Sequence, residues 1–222
     1  MSARDEALAW ITADAALGAL AEHVRAEADG DPGHDLEHCL RVAGWTVRCA
    51  AGRAAPRECV AAALLHDVVN VPKDHPERAR ASARSAERAR VLLAAHGFAP
   101  EAVARIAAAI EDHSFSRGAV PRDALGDALQ DADRLEALGA LGLCRTISTG
   151  TRMGAAYFHP EDPFAKARAL DDTRYGVDHF FTKLLGLAAT LRTEVGRAEA
   201  RRRAGFLEAF LDQLAEELGR AR

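Results

Sequence analysis

The sequence predicts an all-α protein, and three observations support that expectation. Hydrophobic residues make up 49% of the 222 residues, whereas aromatic residues make up only 5%. Much of the apolar content is alanine, the residue with the highest helix propensity. Apolar residues recur at helical spacing, and no stretch alternates in the way that predicts a strand. Since no clear linker interrupts this pattern, we expect residues 1–222 to form a single domain.

Several of the predicted helix boundaries follow from a breaker or a capping residue. We expect Asp35 and Ser82 to act as N-caps, and Pro56 and Pro100 to stand in first helical turns. In chain order the predicted helices cover residues 5–28, 35–51, 56–69, 83–96, 100–112, 122–149, 176–194 and 197–218. Residues 150–175 lack periodicity, which is typical of functional or mobile segments.

The charge and composition argue against several classes of partner. The formal net charge is −4, which gives no general attraction to nucleic acid or to an anionic membrane. No apolar run approaches the roughly 20 residues that a membrane span needs, and the polar N-terminus lacks the apolar core of a signal peptide. The four cysteines are scattered without a CxxC pair, as is typical of reduced thiols. We therefore expect a cytoplasmic protein, monomeric or homodimeric, that binds neither nucleic acid nor a membrane.

The strongest candidate for a functional site is the apolar stretch 61–69, because it contains His66 and Asp67. A buried carboxylate is costly unless it is paired or coordinates a metal ion. Polar residues that interrupt a core segment in this way often mark functional sites. Because adjacent helical residues point about 100° apart, both side chains reach one ion only if it lies between their directions. Further ligands must then come from other helices.

Three other places in the sequence offer such ligands. His34 and His38 are four residues apart and share a helical face. Asp131 and Asp133 are charged residues in an apolar helix, and the periodicity does not decide which of them faces an ion. His113 stands at the end of a predicted helix. Histidine and aspartate together form a mixed nitrogen–oxygen site, which suits octahedral Mn²⁺, Fe²⁺ or Mg²⁺ better than structural Zn²⁺.

The order of these residues resembles the HD-domain metallohydrolase superfamily. The likeness rests on His38, then His66-Asp67, then an aspartate in the later segment Asp-Ala-Asp-Arg-Leu. Further segments resemble one branch, the small bacterial HD phosphohydrolases of the YedJ and YpgQ type. The resemblance implies the metal ligands His38, His66, Asp67 and Asp133. It favours Asp133 over Asp131 because the ligand of the family usually stands two residues before a leucine.

The resemblance extends over roughly residues 20–218 and carries an expected fold and activity. The fold would be an all-α HD-domain helical bundle, with a core over about residues 20–150 and C-terminal helices of about 176–218 packed on it. The activity would be metal-dependent hydrolysis of a phosphate ester or anhydride, typically of a nucleotide. At least one relative in the branch is a manganese-dependent nucleoside triphosphate pyrophosphohydrolase, so we expect a monophosphate and pyrophosphate as products.

The same resemblance implies a cofactor and leaves other activities open. We expect one divalent ion per site, Mn²⁺ first and Mg²⁺, Fe²⁺, Ni²⁺ or Co²⁺ as alternatives. The extra histidines of dinuclear HD enzymes are not matched, which favours one ion. A 5′-nucleotidase, an alarmone hydrolase, a nucleotide sensor without turnover and a helical interaction module are the alternative functions.

One position departs from the pattern of the family. Several HD nucleotidases carry an acidic residue three positions after the HD aspartate, where this sequence has Asn70. Besides Asp67, the candidates for orienting water or protonating the leaving group are therefore Lys73, His113 and Asp131. The candidate substrate contacts are Arg41, Asn70, Lys73 and Arg134.

Overall fold

The computed structural model describes residues 1–27, 35–69, 77, 80–114 and 117–222 of the chain. The regular elements in these residues are helices, and their strand-like pairing is confined to an isolated bridge between Ala156 and Tyr175. The prediction of an all-α protein is therefore confirmed. None of the described helices combines the length and the hydropathy that crossing a membrane requires.

The α-helices are labelled α1 to α10 in chain order. The first eight are α1 (Ala3–Ala13), α2 (Ala15–Ala26), α3 (Leu36–Ala50), α4 (Pro56–Leu65), α5 (Ala81–Ala95), α6 (Pro100–Asp112), α7 (Ala124–Glu136) and α8 (Gly139–Arg152). A π-helical turn (Phe180–Leu184) then leads into α9 (Leu185–Leu187), a 3₁₀ turn (Ala188–Thr190) and the long α10 (Glu194–Glu217).

Residue contacts group the described chain into two compact units. Unit 1 contains Met1–Asp133 together with Arg192–Val195, and unit 2 contains Arg134–Leu191 together with Gly196–Arg222. The expectation of a single domain over residues 1–222 therefore stays a prediction. All four residues that the sequence suggests as metal ligands fall in unit 1.

Several predicted boundaries are confirmed by local hydrogen bonds and backbone geometry. The backbone N–H of His38 donates to the carboxylate of Asp35 at 2.9 Å, so Asp35 is the N-cap of α3. Pro56 and Pro100 stand in the first turns of α4 and α6, where a missing N–H costs nothing. Helix α6 also ends at Asp112, as expected.

The predicted helix over residues 5–28 was wrong in one respect, because Asp14 divides it. The backbone of Asp14 is extended, which ends α1. Its carboxylate accepts hydrogen bonds from the N–H groups of Ala16 and Leu17, which caps the start of α2. An aspartate that can cap a new helix therefore outweighs the apolar periodicity that continues across it.

Further boundaries also differ from the prediction. Helix α4 ends at Leu65 and not at residue 69, and the helix predicted over residues 176–194 is instead a π-helical turn, α9 and a 3₁₀ turn. Ser82 does not cap α5, because that helix begins one residue earlier, at Ala81. The helix predicted over residues 122–149 is two helices, α7 and α8. Gly139, with a φ of +70°, opens α8 in a conformation that glycine adopts without steric cost.

Helix α4 lies at the centre of unit 1. Each residue from Cys59 to Leu65 is buried, and α4 packs against α1, α2, α3, α5 and α6. The apolar run leads directly into His66, whose side chain is also fully buried. The core of unit 1 therefore carries the histidine that the sequence marks as functional.

Gly44 of α3 allows α1 to approach closely, which leads to a prediction about stability. A Cβ atom at Gly44 would overlap the backbone carbonyl of Ala3. Gly44→Ala is therefore expected to lower the free energy of unfolding by about 1–3 kcal/mol. The matched control is Gly18→Ala in α2, where the new Cβ would lie 3.6 Å from the carbonyl oxygen of Ile11. This control is expected to stabilise the protein by up to about 1 kcal/mol. Urea unfolding of both variants would measure the difference, and equal effects would contradict the close-contact explanation.

The irregular segment of unit 2, residues 153–177, is held together by an ion pair between the half-buried Arg168 and the buried carboxylate of Asp178. The guanidinium of Arg168 donates two hydrogen bonds to the carboxylate of Asp178, at 2.5 and 2.6 Å. The backbone N–H of Asp171 donates to the same carboxylate at 2.6 Å. The guanidinium of Arg168 also lies over the ring of Tyr175, 4.7 Å from its centroid. The segment that lacks periodicity in the sequence is thus ordered by side-chain contacts rather than by helix formation.

Candidate metal centre

The end of α4 fixes the orientation of His66. This residue is the C-cap of the helix, and its Nδ1–H donates a hydrogen bond to the carbonyl oxygen of Ala63 at 2.7 Å. Because a carbonyl oxygen only accepts hydrogen bonds, Nδ1 carries the proton and the neutral ring presents a lone pair on Nε2. His66 has 0% of its surface exposed, so this lone pair is held inside the protein.

The end of α6 orients His113 by the same device. His113 is the C-cap of α6, and its Nδ1–H donates to the carbonyl oxygen of Ile110 at 2.6 Å. The rings of His66 and His113 meet edge to face, with centroids 5.1 Å apart. The Nε2 atom of His113 lies 3.6 Å from Oδ1 of Asp67. The structure therefore brings His113 to the His66-Asp67 pair.

Side chains from three helical regions converge on the same point. Nε2 of His38, on α3, lies 3.3 Å from Nε2 of His66. Oδ1 of Asp133, on α7, lies 3.7 Å from Nε2 of His38 and 3.8 Å from Nε2 of His66. Oδ2 of Asp67 lies 3.4 Å from Nε2 of His66. Ligand atoms of His38, His66 and Asp67 all lie within 4.8 Å of one another, as the ligands of one metal ion do.

The two adjacent histidines His66 and His113 have opposite pKa shifts. Burial lowers the pKa of His66 to about 4 despite the nearby carboxylate of Asp67, so the ring is neutral at pH 7. Burial also acts to lower the pKa of His113, but the hydrogen bonding and charge of Asp67 outweigh it and raise that pKa. Two titratable groups whose pKa values are driven apart are suited to different roles in one site. His66 is suited to donating a lone pair, and His113 to carrying a proton.

The donor set fits a divalent metal ion. Burial acts to raise the pKa of Asp133, but His66 and His113 outweigh it and lower that pKa, which keeps the carboxylate ionised. The side chains of Asp67 and Asp133 are 20% and 27% exposed, so solvent reaches the carboxylate side of the cluster. The imidazoles of His38 and His66 and the two partly buried carboxylates together form a site of two nitrogen and two oxygen donors, and a divalent cation would neutralise the charge of the carboxylates. Nitrogen and oxygen donors in this ratio suit ions such as Mn²⁺ or Fe²⁺.

The structure separates the two aspartates that the sequence leaves open. Asp133 is the one that lies beside the histidines. Asp131 is fully buried and faces residues 192–193, where the N–H and the hydroxyl of Thr193 each donate to it at 2.7 Å. The N–H of Arg192 donates to it at 2.9 Å. The geometry therefore gives Asp131 a set of structural partners and does not support the catalytic role predicted for it.

The predicted substrate contacts differ in their surroundings. Within unit 2, the guanidinium of Arg134 donates to the carbonyl oxygen and to the hydroxyl of Thr190, at 2.9 and 3.1 Å. The group that was expected to contact phosphate is thus already engaged by protein atoms. Arg41 is half-buried on α3, one turn after His38, and its predicted role stays open. The described residues do not include His34, Asn70 or Lys73.

Two residues that support the site were missed in the sequence. Gln130 is buried on α7, and its amide donates to the carbonyl oxygens of Asp112 and Ala119, on either side of the segment that begins with His113. Ser85 is buried on α5, and its hydroxyl oxygen accepts a hydrogen bond from the N–H of Val69, two residues after Asp67. In the sequence, each of these residues is recognisable only as a polar residue on the apolar face of a helix. That pattern does not show which backbone group the side chain binds.

The fold and the site together define an all-helical protein with a buried cluster of histidine and aspartate suited to a divalent ion. The family model of the HD domain matches residues 35–138, which include His38, His66, Asp67 and Asp133. The uncharacterised protein YpgQ of Bacillus subtilis (strain 168) is 30% identical over 195 residues, which cover 86% of this chain and 87% of YpgQ. The chain therefore belongs to the HD-domain family.

Solved structures show the same fold. The crystal structure of Bacillus subtilis YpgQ in complex with ADP has a TM-score of 0.70 at 23% identity, over 95% of this chain and 96% of that chain. A predicted HD superfamily hydrolase from an uncultured Thermotogales bacterium has a TM-score of 0.60 at 26% identity, over 90% of this chain and 92% of that chain. The expected HD-domain helical fold is therefore confirmed.

Proposed function

We propose that this protein is a metal-dependent phosphohydrolase that acts on a nucleotide, releasing a monophosphate and pyrophosphate from a nucleoside triphosphate. The observation that carries the proposal is the convergence of His38, His66, Asp67 and Asp133 at one point. These four residues would hold one divalent ion, with Mn²⁺ as the expected ion. A bound ion of this kind supplies positive charge for phosphate oxygens and lowers the pKa of water.

Phosphate chemistry follows from the charge of the site. Asp67 and Asp133 repel a polyphosphate, so an anionic substrate approaches them only if a cation lies between them and the phosphate. The proposal of a metal-dependent reaction therefore rests on the charge balance of the site as well as on the family.

His113 is the residue best suited to move a proton in this reaction. Hydrolysis breaks a phosphorus–oxygen bond, and the leaving oxygen gains a proton while the attacking water loses one. The hydrogen bond from Nδ1 to Ile110 leaves Nε2 of His113 as the atom that gains or loses a proton. Burial acts against it, but the hydrogen bonding and charge of the neighbouring Asp67 raise the pKa of this ring, which favours the protonated form that a general acid needs. Because Asn70 stands where several HD nucleotidases carry an acidic residue, we assign the acid to His113.

A nucleotide is the substrate class that we propose for this site, for two reasons. The YpgQ structure, which shares the fold, holds ADP. A nucleoside diphosphate offers the phosphate oxygens that a divalent ion in the cluster would bind. We further propose that the protein acts in the cytoplasm, as a monomer or a homodimer, on a small phosphorylated molecule and without a nucleic-acid or membrane partner.

A metal-resolved substrate screen tests the proposed function. The purified protein would be stripped of metal with a chelator and supplied with Mn²⁺, Mg²⁺, Fe²⁺, Ni²⁺ or Co²⁺ in turn. Nucleoside mono-, di- and triphosphates and alarmones would then be added, with phosphate and pyrophosphate measured separately. We expect pyrophosphate from a triphosphate, with the highest rate in Mn²⁺.

Each other result of the screen has a defined meaning. Release of phosphate from monophosphates would replace the proposal with a 5′-nucleotidase, and hydrolysis of alarmones alone would replace it with an alarmone hydrolase. Tight binding of nucleotide without a product in any metal would indicate a nucleotide sensor. The absence of metal and nucleotide binding together would reject the metal site and favour a helical interaction module.

A further inference from the structure

Asp131 is a buried carboxylate of unit 1 that accepts hydrogen bonds from three donor groups, and these partners lie about 60 positions away in the chain. It has 0% of its surface exposed. Its Oδ2 accepts the N–H and the hydroxyl of Thr193, each at 2.7 Å, and its two oxygens accept the N–H of Arg192 at 2.9 and 3.0 Å. Thr193 directly precedes α10 and is itself 2% exposed. A buried carboxylate with this many donors holds two chain segments in a defined register.

Asp131 and Asp133 share helix α7, but they point to different neighbours. Side chains two residues apart on a helix are separated by about 200°. Asp131 reaches residues 192–193, whereas Asp133 reaches the two histidines His38 and His66. Any rotation of α7 about its axis therefore disturbs both sets of contacts at once.

Small rotations of α7 have large consequences at the metal centre. Side-chain ends lie about 5–6 Å from a helix axis, so a rotation of about 10° moves them by about 1 Å. Metal–ligand distances tolerate deviations of only about 0.2 Å. The carboxylate of Asp133 therefore needs an independent anchor that sets the rotation of its helix.

We propose that Asp131 is that anchor, a positioning residue that sets the location of Asp133 through its hydrogen bonds to Arg192 and Thr193. The inference rests on the proposed metal site and deepens it. Asp131 acts on the metal through the backbone of α7 and does not touch the reacting atoms. Removing its contacts is therefore expected to weaken metal binding as well as to lower stability.

The test measures the affinity for Mn²⁺ by calorimetry on the full-length, metal-free protein, without any substrate. In Asp131→Asn an N–H donor replaces one acceptor, and the affinity is expected to fall by about 10-fold to 100-fold, as when a residue that orients a metal ligand is lost. Thr193→Val removes only the hydroxyl and is expected to give a smaller loss. Thr193→Ser keeps the hydroxyl and is expected to bind Mn²⁺ as the wild type does.

A matched control separates positioning from general stability. Asp14 also accepts two backbone N–H groups at the start of a helix, α2, and pairs with the guanidinium of Arg57 at 2.7 Å, but it takes no part in the metal centre. Asp14→Asn is expected to lower the melting temperature without a change in Mn²⁺ affinity. If Asp131→Asn and Thr193→Val behaved like this control, the positioning role would be overturned. If the wild type itself bound no divalent ion, the proposed metal site would fail first, which is a distinguishable result.

Discussion

His66→Ala is expected to lower the affinity for Mn²⁺ by more than about 100-fold, because loss of a ligand costs more than loss of a residue that merely orients one. The neutral lone pair on Nε2 of His66 is the central nitrogen donor of the cluster, 3.3 Å from His38 and 3.4 Å from Asp67. Hydrolysis of nucleotide is expected to fall with metal content. Metal analysis of the purified variant and calorimetric titration with Mn²⁺ would measure both effects.

The matched control for this substitution is His96→Ala. His96 is the C-cap of α5, so it stands at the end of a helix as His66 does, but it lies outside the cluster. This variant is expected to keep the metal content and the activity of the wild type. Unchanged metal binding in His66→Ala would reject the proposed centre, and so would an equal loss in both variants.

Arg168→Met is expected to lower the free energy of unfolding by about 3–5 kcal/mol, the cost of leaving a buried charge without its partner. Asp178 has 0% of its side chain exposed and receives two hydrogen bonds from Arg168. Urea unfolding followed by circular dichroism would measure the loss. A second variant that combines Arg168→Met with Asp178→Leu is expected to recover part of it, because the stranded charge is then absent.

The control for the ion pair is Arg174→Met. The guanidinium of Arg174 also lies over the ring of Tyr175, 5.2 Å from its centroid, but Arg174 is exposed. Arg174→Met is expected to lower the free energy of unfolding by about 1 kcal/mol or less, which is typical of the loss of an exposed cation–π contact. Equal losses in Arg168→Met and Arg174→Met would indicate that stacking on Tyr175, and not the ion pair, holds the segment.

Much of the fold could be predicted because the signals that set it are local. Pro100 and the last apolar residues of α6 predict that helix with both of its bounds correct. The break at Asp14 could not be predicted in the same way. An aspartate within a helix lowers its stability only modestly, so Asp14 alone does not predict a break. Its capping of α2 becomes evident only from the hydrogen bonds in the structure. The choice between one long helix and two shorter ones therefore depends on the capping hydrogen bonds of Asp14, which the apolar periodicity does not reveal.

The candidate site was predictable in part for a related reason. His66 and Asp67 stand out because polar residues in an apolar run need partners. Asp131 and Asp133 could not be distinguished by periodicity, since both lie among leucines and alanines. The distinction depends on Thr193, about 60 residues further along the chain, which binds Asp131. No pattern within α7 contains that contact.

The hydrogen bonds that hold the two helix-capping histidines have a consequence for how an ion enters the site. In each ring the bond runs to a carbonyl three residues earlier, Ala63 for His66 and Ile110 for His113. Each imidazole therefore loses its rotational freedom when its own helix forms. The side-chain conformational entropy is lost during folding and not when the ion binds. An arriving cation meets rings already turned toward it. We expect the rate of ion capture to be limited by diffusion past the partly exposed carboxylates and not by a search among side-chain rotamers.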